Sequence, residues 1–419
     1  MINKFLQDKF IKDNAVFFVG SIIVAILNYL YHPVMSRMMS VEDFGEVQTL
    51  ISLTYLTGIL SVIFGTIATN IVAHIKDLSV KKHTEILSQL ATLALYVTGF
   101  FALALLVLSP YLRDVLQFRS IASFLPLILI MLVGVPMIFY NAYFRGIKQF
   151  DVASITGIIM SSGKIIFAIL FVFLGFRVFG AISALALATL CSLLYAMRKA
   201  RGTFVLNWEG KLTWTPEMKR ELSYGMLIFF SLGYITFLYT SDVIMVKYFF
   251  SPEIAGVYSG VATIARIIFF ATASVAGVLL PTIKMTAKYE ENIAVLKKAF
   301  MIISLMGVGA LGIFFLFPKF IITVLIGEKY LSLTNLLPLA GLYIFLASVT
   351  NILYSYSLAL RDKRLITTSL IGFLVIIGLI WWHHDSPRAI VIDYIIGAAM
   401  TIIVTFVVLL FSKRKEVRL

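Results

Sequence analysis

The sequence predicts an all-α integral membrane protein of about twelve transmembrane helices, six in each of two pseudo-symmetric halves. Three observations predict it. Apolar residues make up 60% of the 419 and charged residues only 13%, against about 25% charged in a typical soluble domain. Mean hydropathy is +0.98. Twelve apolar stretches are each long enough to cross a hydrocarbon core of about 30 Å, which takes roughly 20 helical residues. Finally, the segments between these stretches alternate between rich and poor in Lys and Arg.

In the first half the stretches run 15–35, 47–73, 86–109, 121–143, 152–174 and 178–197. In the second half they run 222–246, 254–280, 295–316, 331–358, 365–382 and 389–411. The eleventh is short, and the second, eighth and tenth are long. Strands of a membrane barrel are about ten residues with alternating polarity, which these runs are not. Ahead of the first span, Ile2, Phe5, Leu6 and Phe10 fall on one helical side and Lys4, Asp8 and Lys12 on the other. That pattern predicts an amphipathic segment lying on the membrane. It lacks the short apolar core and small-residue cleavage site of a signal peptide.

Charge sets the expected orientation. One set of segments, which includes the N-terminus, Arg145 with Lys148, Arg361 with Lys363 and Arg364, and the C-terminus, holds 25 Lys and Arg. The alternate set holds eight: Arg37, Arg113, Arg119, Arg177, Lys247, Lys319, Lys329 and Arg388. Basic loops stay on the cytoplasmic side, so both termini are expected there. The same bias accounts for the net charge of +14 without any nucleic-acid partner. The one sizeable polar segment, 198–221, is basic and divides the spans six and six, giving a first half over 1–200 and a second over 201–419. The halves look like copies. Ser40-Val41-Glu42-Asp43-Phe44-Gly45 follows the first span and Ser251-Pro252-Glu253-Ile254-Ala255-Gly256 the seventh; Arg145-Gly146-Ile147-Lys148 follows the fourth and Arg361-Asp362-Lys363-Arg364 the tenth. Six spans per half give both halves the same orientation, with a substrate path expected between them. Ser40 and Ser251 are expected N-caps, with Glu42, Asp43 and Glu253 complementing helix dipoles in the first turns.

Two cations lie near the middle of spans, Lys164 in the fifth and Arg266 in the eighth. A charge at that depth costs about 2.5 to 3.5 kcal/mol on insertion scales, so each is expected to face a cavity or a partner. Gly157, Ser161, Lys164 and Ala168 follow one helical face; Ser259, Ala262, Arg266, Ala273 and Gly277 follow another. No Asp or Glu is expected at comparable depth, which points to a cationic central cavity for an anionic substrate. Phosphate or diphosphate is the usual choice for Lys and Arg. The alternative is that each cation is neutralised by a buried acid in a structural pair, for which Asp242 is the nearest candidate. Asp242, near the outer end of the seventh span, reads either as a carboxylate for a coupling proton or cation, or as a structural acid paired with Lys247 or Arg37. Uncharged polar residues recur at helical spacing: Ser21, Asn28 and His32 in the first span, Thr54, Gly58, Ser61 and Gly65 in the second, Ser348, Asn351 and Ser355 in the tenth. Asn28, Ser161 and Asn351 are candidate cavity lining, although such stripes equally serve helix packing.

Other motifs carry less. Trp381-Trp382-His383-His384-Asp385 sits where an interfacial aromatic belt and a short polar loop are expected, rather than a metal site. The single cysteine, Cys191, excludes an intrachain disulfide, and no metal site is expected. Pro33, Pro126, Pro136, Pro281 and Pro338 mark kinks or breaks. Among the motifs absent are GxxxxGK[ST], HExxH and GxSxG, so neither an ATPase nor a catalytic site is expected.

These features together resemble the Wzx-type polysaccharide transporters of the MOP exporter superfamily. The resemblance spans essentially the whole chain and rests on Met35-Ser36-Arg37 leading into Ser40-Val41-Glu42-Asp43-Phe44-Gly45. It rests also on Arg145-Gly146 and on Thr240-Ser241-Asp242-Val243-Ile244-Met245-Val246-Lys247 followed by Gly256-Val257-Tyr258. Position 41 is Val where Pro is common in the family. The resemblance implies a MATE-like fold in the bacterial inner membrane and a flippase that moves a polyprenyl-diphosphate-linked oligosaccharide to the outer leaflet. The product would enter O-antigen, capsule or another surface polymer. It implies membrane lipids as surroundings, a polysaccharide polymerase and a chain-length regulator as partners, and no cofactor beyond a proton or sodium gradient. Lys164 and Arg266 would then hold the diphosphate. The rival readings are a MATE-like drug or cation antiporter, which prefers acids in its cavity, and a membrane-embedded glycosyltransferase or polymerase, which usually has a substantial outer loop.

Overall fold

A chain crosses hydrocarbon only if every backbone N–H and C=O is paired inside the segment, and an α-helix achieves this locally. In the computed structural model the long apolar segments are helical in that way. It describes the backbone of residues 9–74, 80–208, 216–284 and 286–416, and within these the side chains of 19–72, 84–208, 223–284 and 286–409. Among the described residues thirteen α-helices run in order: α1 Lys9–Met38, α2 Val41–His74, α3 Val80–Val115, α4 Phe124–Gly146, α5 Phe150–Phe173, α6 Arg177–Lys199, α7 Pro216–Phe249, α8 Pro252–Thr282, α9 Tyr289–Leu316, α10 Pro318–Leu325, α11 Leu337–Ala359, α12 Arg364–Trp382 and α13 Pro387–Glu416. Twelve are long and apolar enough to span a membrane, the exception being the eight-residue α10. The twelve-span expectation is met. Most of the amphipathic N-terminal segment lies outside the described residues, and Lys9 and Lys12 already belong to α1.

Helix ends are set by local chemistry. The Ser40 Oγ accepts the Asp43 N–H at 3.2 Å, and the Ser251 Oγ accepts the Ile254 N–H at 3.5 Å, with Pro252 opening α8. Both serines are therefore N-caps, as the sequence predicts. Between α5 and α6 the chain reverses through Gly175, at φ 87°, a conformation that a glycine adopts without a Cβ clash.

The chain forms two compact units, Met1–Gly225 and Met226–Leu419, divided within α7. In the first unit α2 packs on α3 and α4, α4 on α3 and α6, and α5 on α6, with α1 against α5. In the second unit α8 packs on α9 and α11, α11 on α9 and α13, and α12 on α13. By span number five contacts recur: in each unit the second and third, second and fourth, third and fourth, fourth and sixth, and fifth and sixth spans meet. The first described part of the segment 198–221 is anchored on the first unit. Phe204 stacks on Tyr143 with ring centroids 4.5 Å apart, and the Asn207 N–H donates to the Ser88 Oγ at 2.9 Å.

Large apolar side chains remain exposed along the helices, among them Phe100, Phe173, Leu305 and Phe315. Soluble proteins rarely expose so much apolar surface; on spans it is the face that lipid covers. Trp381 and Trp382 are 74% and 90% exposed at the end of α12, consistent with an interfacial aromatic belt.

Candidate functional site

The two intramembrane cations sit in different units and have different surroundings. Lys164 is on α5, which approaches α1 closely because small residues line the contact. A Cβ on Gly20 would stand 2.6 Å from Ser154, and one on Gly157 3.0 Å from Val24. Small residues permit such close helix approaches in membranes. The approach brings the Lys164 Nζ to 2.7 Å from the Asn28 Oδ1 and 3.5 Å from the Asn28 carbonyl oxygen, both acceptors. Asn28 and Tyr31 are one helical turn apart, and the ammonium lies 4.7 Å from the centroid of the Tyr31 ring. That ring is itself fixed: Tyr31 is fully buried, and its hydroxyl donates to the Ala181 carbonyl on α6 at 3.2 Å.

An amide oxygen and a π face solvate a cation without cancelling its charge. No carboxylate among the described residues lies within ion-pair distance of Lys164, and the side chain is half-buried. Its ammonium has three donors, of which Asn28 takes one at short range. The arrangement can offer the remaining donors to an anion.

Arg266 differs from its sequence expectation. It is only 3% exposed, and its Nη2 lies 2.8 Å from the Asp242 Oδ1 and donates at 3.4 Å to the Thr240 carbonyl. The Tyr258 hydroxyl donates to the other Asp242 oxygen at 2.9 Å. Tyr343 and Tyr394, fully buried with ring centroids 5.4 Å apart, belong to the same core, and the Tyr394 hydroxyl hydrogen-bonds the Ser241 Oγ at 2.6 Å. The structural pair is therefore what forms here, and Arg266 contributes no uncompensated charge. Asp242 pairs with Arg266. The physical reason is side-chain reach. Arg266 lies about seven residues deeper along α8 than the level of Asp242, roughly 10 Å at the Cα atoms. Side chains lean toward their helix N-terminus, and for α8 that is the end toward which Asp242 lies.

The remaining polar candidates divide. The Ser161 hydroxyl is fully buried and donates to the Gly157 carbonyl at 2.6 Å, so it packs α5 and does not line a cavity. Thr54 and Ser348 likewise donate to the carbonyls of Leu50 and Ile344. Asn351 is half-buried on α11. His383 faces Asp393 at 3.4 Å, and His384 stacks on Phe249 with centroids 4.3 Å apart.

One ionic cluster is missed by the sequence reading. Asp43, in the first turn of α2 and 4% exposed, receives Arg119 at 3.1 Å and Arg177 at 2.8 Å, while the Arg119 N–H donates to the Glu46 Oε1 at 3.0 Å. Three elements are tied together there: the start of α2, the loop before α4 and the start of α6. The available signal was that these residues share the Arg-poor side of the membrane, where each cation is conspicuous.

Set against known proteins, the chain matches the family described as polysaccharide biosynthesis protein over residues 10–287. A comparison with curated proteins returns no match. Among solved structures, an inward-facing multidrug resistance MATE family transporter of the MOP superfamily is 16% identical, with a TM-score of 0.70 over 91% of this chain and 92% of that one. The MATE multidrug transporter DinF-BH is also 16% identical, at 0.67 over 96% and 94%. The eukaryotic MATE transporter AtDTX14 is 13% identical, at 0.66 over 96% of each chain. At these identities the likeness is one of fold.

Proposed function

The chain belongs to the polysaccharide biosynthesis protein family, and from that premise we propose that it is a transporter that flips a polyprenyl-diphosphate-linked oligosaccharide across the bacterial inner membrane. The observation that carries the reading is the Lys164 site. A half-buried ammonium, held by Asn28 and the Tyr31 ring with no carboxylate among the described residues to cancel it, suits the anionic diphosphate of such a lipid. The charge belongs on the head group, while the polyprenyl tail is soluble in the bilayer. Motion of the two units provides alternating access, as expected of transporters built from repeats.

A cation antiporter of the same fold needs a carboxylate free to bind its ion. The acid nearest to that role, Asp242, has both oxygens engaged, one by Arg266 and the other by Tyr258. That favours the anionic cargo.

The test is lipid extraction from cells lacking the protein, with the leaflet of each intermediate assayed. Accumulation of one complete polyprenyl-diphosphate repeat unit on the cytoplasmic side is expected. Complete units reaching the outer leaflet unpolymerised would instead identify a polymerase. Unchanged lipids with altered drug or cation tolerance would identify an antiporter.

A further inference from the structure

Lys164 supplies one basic group, whereas the diphosphate of a lipid-linked cargo is a diester with a negative charge on each phosphate. A second basic side chain stands on the same face of α1. Asn28, which accepts from Lys164, and His32 are four residues apart on that helix, a spacing that makes them neighbours on its surface. The Tyr31 ring joins the two basic groups. The Lys164 Nζ lies 4.7 Å from its centroid, and the His32 ring meets it at 5.6 Å and 89°. His32 is only 8% exposed.

The surroundings of His32 suit two protonation states. The Gln48 Nε2 on α2 donates to the His32 Nδ1 at 2.9 Å, so Nδ1 carries no hydrogen and the imidazole is neutral. Gln48 is fully buried, and its Oε1 has no hydrogen-bond partner among the described residues. Buried polar atoms are normally paired, and an amide oxygen beside an imidazole lacks only a donor. A half-turn of the Gln48 amide exchanges Nε2 for Oε1. His32 can then take a proton from water at Nδ1 and donate it to Oε1, which satisfies the orphaned oxygen. The charged groups around this end of α1 have partners of their own. Asp43 receives Arg119 and Arg177, Glu46 accepts the Arg119 N–H, and Arg37 donates to the Pro33 carbonyl. Tyr29 and Tyr31 flank the imidazole with their rings, and Lys164 faces it from α5 across Tyr31.

We propose that His32 is a proton-binding residue of the Lys164 site, and that its proton supplies the second positive charge a diphosphate diester requires. The inference rests on the Lys164 reading and adds to it the means by which the site changes its hold on the anion. Coupling of this kind is reciprocal: the proton favours the anion as much as the anion favours the proton. Loss of the proton from His32 therefore weakens the site without moving any helix.

The experiment uses the full-length protein purified in detergent, with binding measured by calorimetry. The probe is uridine diphosphate glucose, a soluble diphosphate diester of a sugar. Binding is compared at about pH 6 and about pH 8, on either side of the usual histidine range; the phosphate charges of the probe are the same at both. The wild type is expected to bind roughly tenfold more tightly at the lower pH. His32→Gln should lose that difference and keep the weaker affinity. Gln48→Met retains the imidazole but removes the acceptor for its second proton, and should narrow the difference. A pH difference that survives both variants belongs to Lys164 and overturns the proposal. Equal binding at both pH values, abolished by Lys164→Ala, overturns it as well and leaves the Lys164 reading standing. No binding by the wild type at either pH sinks the two together.

Discussion

The first half of the molecule holds its intramembrane cation against neutral groups, and the second half holds its own against an acid. Lys164 has an amide oxygen and a tyrosine ring; Arg266 has Asp242, which also accepts the Tyr258 hydroxyl. The units share five span-to-span contacts. What differs is bookkeeping of charge, and the difference separates roles that look alike in sequence. A neutralised, fully buried pair is part of the core. A half-buried basic side chain with only neutral partners is available to a ligand.

The largest effect expected from this comparison is in the second half. Asp242→Asn strands Arg266 without its counter-ion, and breaking a buried pair by removing one partner costs about 3–5 kcal/mol. Thermal unfolding in detergent should show that loss, and Asp242→Leu combined with Arg266→Met should restore most of it. A fully stable Asp242→Asn protein with lost transport would break the comparison by making Asp242 functional.

In the first half the expectation is reversed. Lys164→Ala should lower transport at least tenfold while changing stability by about 1 kcal/mol or less. Lys164→Arg should keep part of the activity, because the charge persists while the donor geometry changes. Complementation measured at matched membrane levels decides this. A Lys164→Ala protein with full activity would leave neither cation as a substrate site.

The smallest effect concerns the caps. Ser40→Ala should cost about 1 kcal/mol and Ser251→Ala only a few tenths, since the Ser251 bond is the longer of the two, 3.5 Å against 3.2 Å. Hydrogen exchange at the first turns of α2 and α8 reads the two side by side. Equal effects would show that Pro252 does not substitute for the bond.

The spans were legible because length and hydrophobicity belong to each segment alone; α12 ends at Trp382 as its apolar run does. The site was legible in part. Asn28 and Lys164 can each be recognised in the sequence, but their contact joins residues 136 positions apart, and only the Gly20 and Gly157 approach brings them together. The Asp242–Arg266 pair stood only as the alternative because depth counted at Cα atoms ignores the reach of a guanidinium. The Asp43 cluster was missed because three short segments supply it, none with a pattern of its own.

The Asp242–Arg266 pair also bears on how the chain is made. The two residues are 24 positions apart, on consecutive spans. A lone arginine passing into lipid carries the penalty that a paired one avoids. Thr54, Ser348 and their like already donate within their own helices, so those spans can leave the translocation machinery singly. Helices α7 and α8 gain by entering the bilayer together as a hairpin, its charges joined before either reaches hydrocarbon.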